Sequence, residues 1–164
     1  MSTPPCSGII AIMYYRDYHN SNRFKGCDTL LISIKPELVE RIVLGEKKYE
    51  YRKSFPPITV KRLVIYSTFP VQKVVAVSEV LAMRENTPWA IWEGTKDGAG
   101  VSEQTYYEYF SGRPKAFAFK LGKIDVITPP ASLFDVDKTL SPPQSYTILK
   151  PEQAELFLRL VHSA

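Results

Sequence analysis

The sequence predicts an α+β fold: a small, strongly curved mixed β-sheet of five to six strands that closes into a barrel, with one early helix and short peripheral helices. Three observations lead there. The order of strand-like and helix-like segments is β, α, β, β, β, short helices, β, β, which is not the βαβ alternation of a doubly wound parallel sheet. One strand-like run is long enough to bend across a barrel. And 13 prolines stand against 8 glycines in 164 residues, a balance that favours many fixed turns over long helices. The length suits one domain with a short appendage.

Residues 1–28 carry weak periodicity and a polar, turn-rich stretch, "RDYHNSNRFKGCD", so they are read as a poorly ordered N-terminal extension of a domain spanning 29–164. The domain opens with "TLLISI", Thr29 to Ile34, a β-branched run of strand length. "KPELVERIVLG" is a short helix: Pro36 stands near its first position, Glu37 and Glu40 in its opening turns, Leu38, Val39, Ile42 and Val43 on one stripe, and Gly45 at its stop. "KYEYR" then alternates as a strand does, with Tyr49 and Tyr51 on one face and Lys48, Glu50 and Arg52 on the other.

"KRLVIYSTF" and "KVVAVSEVLAM" read as two strands joined by a turn at Pro70. "NTPWAIWEG" starts a short helix with Thr87 as cap and Pro88 next, and Trp89 and Trp92 are expected to pack on one face. "GTKDGAG" is expected to be a flexible loop, and "SEQTYYEYF" a helix capped by Ser102 and stopped by Gly112. Two more strands, "KAFAFKL" and "KIDVITP", are expected with "LG" as the turn between them. A proline-rich loop, "SPPQSYTIL", follows, and a last helix from Pro151 turns Ala154, Phe157, Leu158 and Val161 inward.

Charge narrows the partners. The net charge is +4 and the pI about 9.0, which permits an anionic partner without demanding one. From Lys35 to Lys73 nine Lys/Arg face four Glu, a net of +5, whereas Glu85 to Phe110 holds five acids and one Lys, a net of −4. The basic stretch therefore suits a nucleic acid, and the acidic one a protein partner. Cys6 and Cys27 have no CxxC spacing and no histidine pair nearby, so no metal, no cofactor and a reduced, cytoplasmic setting are expected. The apolar run "GIIAIMYY" is too short for a membrane span. Phosphate-loop, nucleophile-elbow and HExxH spacings are absent, and His19 and His162 lie near the chain ends. Any catalysis must therefore use Lys, Glu, Tyr, Ser or Thr.

Those residue types concentrate in "GEKKYEYRK", Gly45 to Lys53. A lysine just past a helix stop, followed by Glu50 and Arg52 on one strand face, brings a base, an acid and a fixed cation within reach of one another. Crowding of that kind shifts protonation and makes general acid–base pairs. A solvated strand face with charges paired at i, i+2 would have the same spacing, and surface pairs are common and weak.

The octapeptide "GEKKYEYR" resembles the G-x-K-x-x-E-x-R signature of ASCH domains, a branch of the PUA-like superfamily, with Gly45, Lys47, Glu50 and Arg52 at the marked positions. "LLISIKPELVERIVLG" is similar to that family's first strand and helix, "IYSTFPVQKVVAVSEV" to its next strand pair, and "PPQSY" to a late loop of one prokaryotic subgroup. The resemblance covers roughly residues 29–148. It implies a compact barrel whose cleft, beside the first helix, holds RNA or a nucleobase. Some small ASCH proteins resemble amidohydrolases of N4-acetylcytidine and others are reported as ribonucleases. In the amidohydrolases a threonine stands where this chain has Glu50, a departure that removes the hydroxyl partner of that activity.

On this reading Lys47 and Glu50 are the catalytic candidates, and Arg52 holds a phosphate or a base edge. Gly45 sets the turn. Ser67, Thr68 and Phe69 end a strand opposite the motif, and Gln144 and Tyr146 lie in the late loop, as further ligand contacts. Hydroxyls at such a junction also satisfy backbone groups, and strand aromatics such as Tyr49 and Tyr66 are more often core. The expected ligand is RNA or a nucleoside, bound or hydrolysed. An adaptor that docks a protein through Glu85 to Phe110 is the remaining class.

Overall fold

The computed structural model describes residues 21–162. The expectations that fall on 1–20, including "GIIAIMYY", Cys6 and His19, lie outside the described residues. Of the predicted extension, Ser21–Phe24 forms a 3-10 turn, and Asp28 pairs with Arg62 at 3.2 Å.

Six strands form one mixed sheet in the order β2-β5-β4-β3-β1-β6. The first half of the chain supplies β1 (Thr29–Ile34), α1 (Pro36–Val43), β2 (Tyr49–Arg52), β3 (Arg62–Ser67) and β4 (Lys73–Asn86). The second half supplies α2 (Pro88–Thr95), α3 (Glu103–Tyr109), β5 (Ala116–Ala131), α4 (Leu133–Val136), β6 (Tyr146–Ile148) and α5 (Pro151–His162). The β1–β3 pair is parallel, because α1 and β2 intervene and return the chain to the same end; the other pairs are antiparallel.

The period-2 alternation of β1 and β3 feeds two cores. Leu30, Ile32, Leu63 and Ile65 turn toward one, which α1 closes with Val39 and Ile42. Leu31, Val64 and Tyr66 turn toward the other, under Ala154 and Phe157 of α5. A third cluster joins Tyr51 to α2 and α3 through Ile91, Trp92, Tyr106 and Phe110. Thr87 and Ser102 cap their helices as expected, accepting from Ala90 N at 3.2 Å and Thr105 N at 3.1 Å.

Several local expectations fail for identifiable reasons. "KAFAFKL" and "KIDVITP" are one bent strand, β5, and "LG" is not a turn. Register shifts beside Ser78, Val80 and Ala82 bend the β4–β5 pair, and a Cβ on Gly122 would come within 2.8 Å of Leu81, so the glycine serves close strand approach. The proline-rich loop contains β6, whose three residues are too short to show a period. "GTKDGAG" is packed, with Thr95, Gly98 and Ala99 buried. Trp92 is buried as expected, but Trp89 is 66% exposed.

The two sheet edges, β2 and β6, meet without a ladder pair among the described residues. Arg52 spans the gap instead: its Nη2 donates to Ser33 O at 2.8 Å and its Nη1 to Ser145 Oγ at 3.1 Å. The Ser54 and Tyr146 hydroxyls stand 3.4 Å apart on the same seam. Side chains thus close the barrel.

Candidate functional site

The signature segment is shaped by backbone first. Gly45 adopts φ +79°, which lets the chain reverse after α1 so that Glu46 N and Lys47 N both donate to Arg41 O, at 2.9 and 3.0 Å. Lys48 N then donates to Gly98 O at 2.7 Å, which ties the strand entry to the loop after α2. This contact aims Lys47 inward and leaves Lys48 outside.

Lys47 is 3% exposed and Glu50 4%. The Lys47 ammonium donates to Ala99 O at 3.0 Å, lies 4.8 Å from the centre of the Tyr51 ring, and stands 3.7 Å from Glu50 Oε2, an ion pair beyond hydrogen-bond reach. Glu50 Oε1 accepts from Arg52 Nε at 3.2 Å and Nη2 at 2.9 Å, but its buried Oε2 has no hydrogen-bond partner. Burial holds the Lys47 amine below the usual lysine range; the Glu50 charge works the other way, and Arg52 and Arg41 add to the lowering. Burial also pushes the Tyr51 phenol up to about 12, against the effect of its hydrogen bond with Thr95.

These groups line a cavity of about 260 Å³. Tyr51, Tyr106 and Tyr109 give it an aromatic wall, and Ser33, Ile34, Leu38, Lys35, Val101 and Thr105 complete the lining. Glu50 is the sole carboxylate among the lining residues.

The predicted residues separate into two groups. Lys47, Glu50 and Arg52 come together on the cavity wall. Gly45 shapes the approach without lining it. Ser67 is buried and Thr68 half-buried at the end of β3, where Thr68 N donates to Ile34 O at 3.0 Å; Phe69 is 77% exposed, Gln144 exposed and Tyr146 half-buried, and none of the five lines the cavity. The Arg52 fork is engaged by Glu50, Ser33 and Ser145.

Sequence reading missed Ala99 and Gly100, which hold Lys47, and Tyr106 and Tyr109, which line the cavity. A Cβ on Gly100 would fall 2.4 Å from Lys47 Cβ. The two glycines of "GAG" were the available signal, since closely spaced glycines mark close backbone approach. Among the described residues there is no cluster of His, Cys, Asp and Glu able to hold a metal, and no helix long and apolar enough to cross a membrane.

A protein of Zymomonas mobilis called an ASCH domain-containing ribonuclease is 34% identical to this chain over 133 residues, which cover 79% of this chain and 90% of that protein. The chain belongs to the ASCH-domain family. The crystal structure of ASCH from Zymomonas mobilis superposes with a TM-score of 0.74 at 32% identity, covering 81% of this ASCH chain and 95% of that one. The N-terminal domain of Staphylothermus marinus McrB shares the fold, with a TM-score of 0.51 at 15% identity over 84% of this chain and 94% of that one. No family model matches the sequence.

Proposed function

We propose that the chain binds RNA, or a nucleoside, by taking one base into the cavity beside α1. The observation that carries this reading is Glu50 Oε2, a buried acceptor without a hydrogen-bond partner, on the wall of a cavity lined by three tyrosines. An unmade hydrogen bond of this kind costs free energy that a ligand N–H recovers, and base edges supply such donors. The tyrosines offer stacking surface for a splayed base, the usual way single-stranded RNA is held.

Glu50→Gln tests it. Arg52 fixes the oxygen it already holds, so the substitution turns the free acceptor into a donor of the same size. Affinity for cytidine and for single-stranded RNA, followed by calorimetry and fluorescence anisotropy, is expected to fall at least about tenfold; unchanged affinity in the folded variant overturns the reading.

A second reading, RNA cleavage, is favoured by the name of the Zymomonas mobilis relative, a ribonuclease. Lys47 is the base candidate there, because burial lowers its proton affinity. Lys47→Met is expected to abolish turnover of RNA, with N4-acetylcytidine in the same panel as the amide substrate. Absence of turnover by the parent protein across the panel leaves binding as the function.

A further inference from the structure

Two exposed cations, one lining the cavity and one over a tyrosine of its wall, have no assigned part in the site. Lys35, at the junction of β1 and α1, is exposed and lines the cavity. Lys53, directly after β2, is exposed and sets its ammonium 4.7 Å from the centre of the Tyr109 ring, itself part of the wall. They rise from different walls, one from β1 and the other between β2 and α3. Neither has a carboxylate partner among the described residues, whereas Arg41 nearby is tied to Gly100 O at 2.6 Å and Arg52 is spent on the seam.

The interior offers an anion no free cation: Lys47 is committed to Ala99 O and to its ion pair with Glu50. Its free polar group is an acceptor, Glu50 Oε2, which suits an N–H edge and repels a phosphate oxygen. Arg52, the one lining cation besides Lys35 and Lys47, has its fork occupied. An anionic ligand group is therefore kept at the mouth while an uncharged ring goes in.

We propose that Lys35 and Lys53 each hold one of the two phosphates flanking the captured nucleotide, so that the ligand is an internal nucleotide of a single strand and not a free nucleoside. This rests on the base-in-cavity reading above. A free nucleoside would leave both ammonium groups without a counter-ion. A nucleotide phosphorylated on both its 5′ and 3′ sides brings one phosphate to each, and a continuous strand enters past one lysine and leaves past the other. Releasing counterions from each contact gives binding a salt dependence that a nucleoside lacks, with a slope of about 0.7 per phosphate for single strands.

The test compares cytidine with cytidine 3′,5′-bisphosphate, which contains no internucleotide bond to cut, by calorimetry over a salt series. The bisphosphate is expected to bind at least about tenfold tighter at low salt, with an advantage that shrinks as salt rises. Lys35→Ala and Lys53→Ala should each remove part of that advantage, and the double variant all of it, the advantage being the ratio of bisphosphate to cytidine affinity measured within each variant. Lys61→Ala, an exposed lysine outside the cavity, should do nothing. A bisphosphate no tighter than cytidine, an advantage indifferent to both lysines, or one carried entirely by a single lysine overturns the proposal. Ribose 3,5-bisphosphate without a base separates the two readings: equal affinity for it sinks base capture whatever the lysines do, whereas failure of the lysine arms leaves base capture standing.

Discussion

The barrel is held in two different ways around its circumference. From β5 through β4, β3 and β1 to β6, backbone ladders join each strand to the next, and the side chains packed beneath are uncharged and mostly apolar, with Leu63, Val64 and Phe157 fully buried. At the seam between β2 and β6 the joint is made by side chains, the Arg52 fork and the Ser54 and Tyr146 hydroxyls, and the buried residues beside it include a lysine and a glutamate. A ladder would have satisfied the backbone and left no room. Closure by side chains leaves the cavity, and it places charged groups where water is scarce enough to change their chemistry. The site exists because the sheet is not finished by a backbone ladder.

Breaking each side in turn should separate stability from binding. Phe157→Ala, in the core under the laddered side, is expected to cost about 4 kcal/mol in urea unfolding while the folded fraction binds ligand with parental affinity. Arg52→Ala should cost about 3 kcal/mol, because it strips Glu50 of its hydrogen-bonded partner in a buried setting, and it should weaken ligand binding as well. If the Arg52 variant is as stable as the parent, the seam is not a joint.

A smaller contrast lies on either side of Lys47, in the turn before it and the loop packed on it, between two glycines of positive φ. Gly45 has φ +79° and nothing within 4 Å of a Cβ, whereas Gly100 has φ +67° and would drive its Cβ into Lys47. Gly45→Ala is therefore expected to cost about 1 kcal/mol, the backbone strain alone. Gly100→Ala should cost about 2 kcal/mol, since the Lys47 contact adds to the strain, and it should reduce ligand affinity by moving Lys47. Equal costs with unchanged binding would show that the loop does not position the lysine.

The asymmetry also explains what could be read from the sequence. The order of elements as far as β4 and the Val39 and Ile42 part of the α1 stripe were legible from local spacing, and the grouping of Lys47, Glu50 and Arg52 from the family signature. So was the curved mixed sheet, since its strands and single early helix leave few other arrangements. What depends on contacts far apart in the chain was not legible. Ala99 lies 52 residues from Lys47, and Ser145 lies 93 from Arg52. The continuity of β5 was hidden because a glycine that permits close strand packing looks like a glycine that turns a chain. Phe69 and Gln144, expected as ligand contacts from the family resemblance and their loop positions, do not line the cavity.

The smallest effect is a pH dependence confined to the seam. The Lys47 amine binds its proton more weakly in the folded protein than in the unfolded chain, where the value is 10.5. Over the window between its lowered folded value and 10.5, the unfolded chain holds more protons, so stability rises with pH. Tyr51 works in the opposite sense: its phenol titrates at about 12 when folded and 10.0 when not, so its contribution is full below pH 10 and is lost as pH climbs toward 12. Denaturant unfolding across this alkaline range should therefore show the rise flattened by Lys47→Met and the fall flattened by Tyr51→Phe. Parallel curves for the parent and Lys47→Met would mean that the amine is not held out of water. The two groups touch, ammonium over ring at 4.8 Å, so the substitutions should not be additive. Deprotonating Lys47 also removes the cation nearest Glu50 Oε2, so a base N–H should be captured more tightly on the alkaline side of that titration than below it.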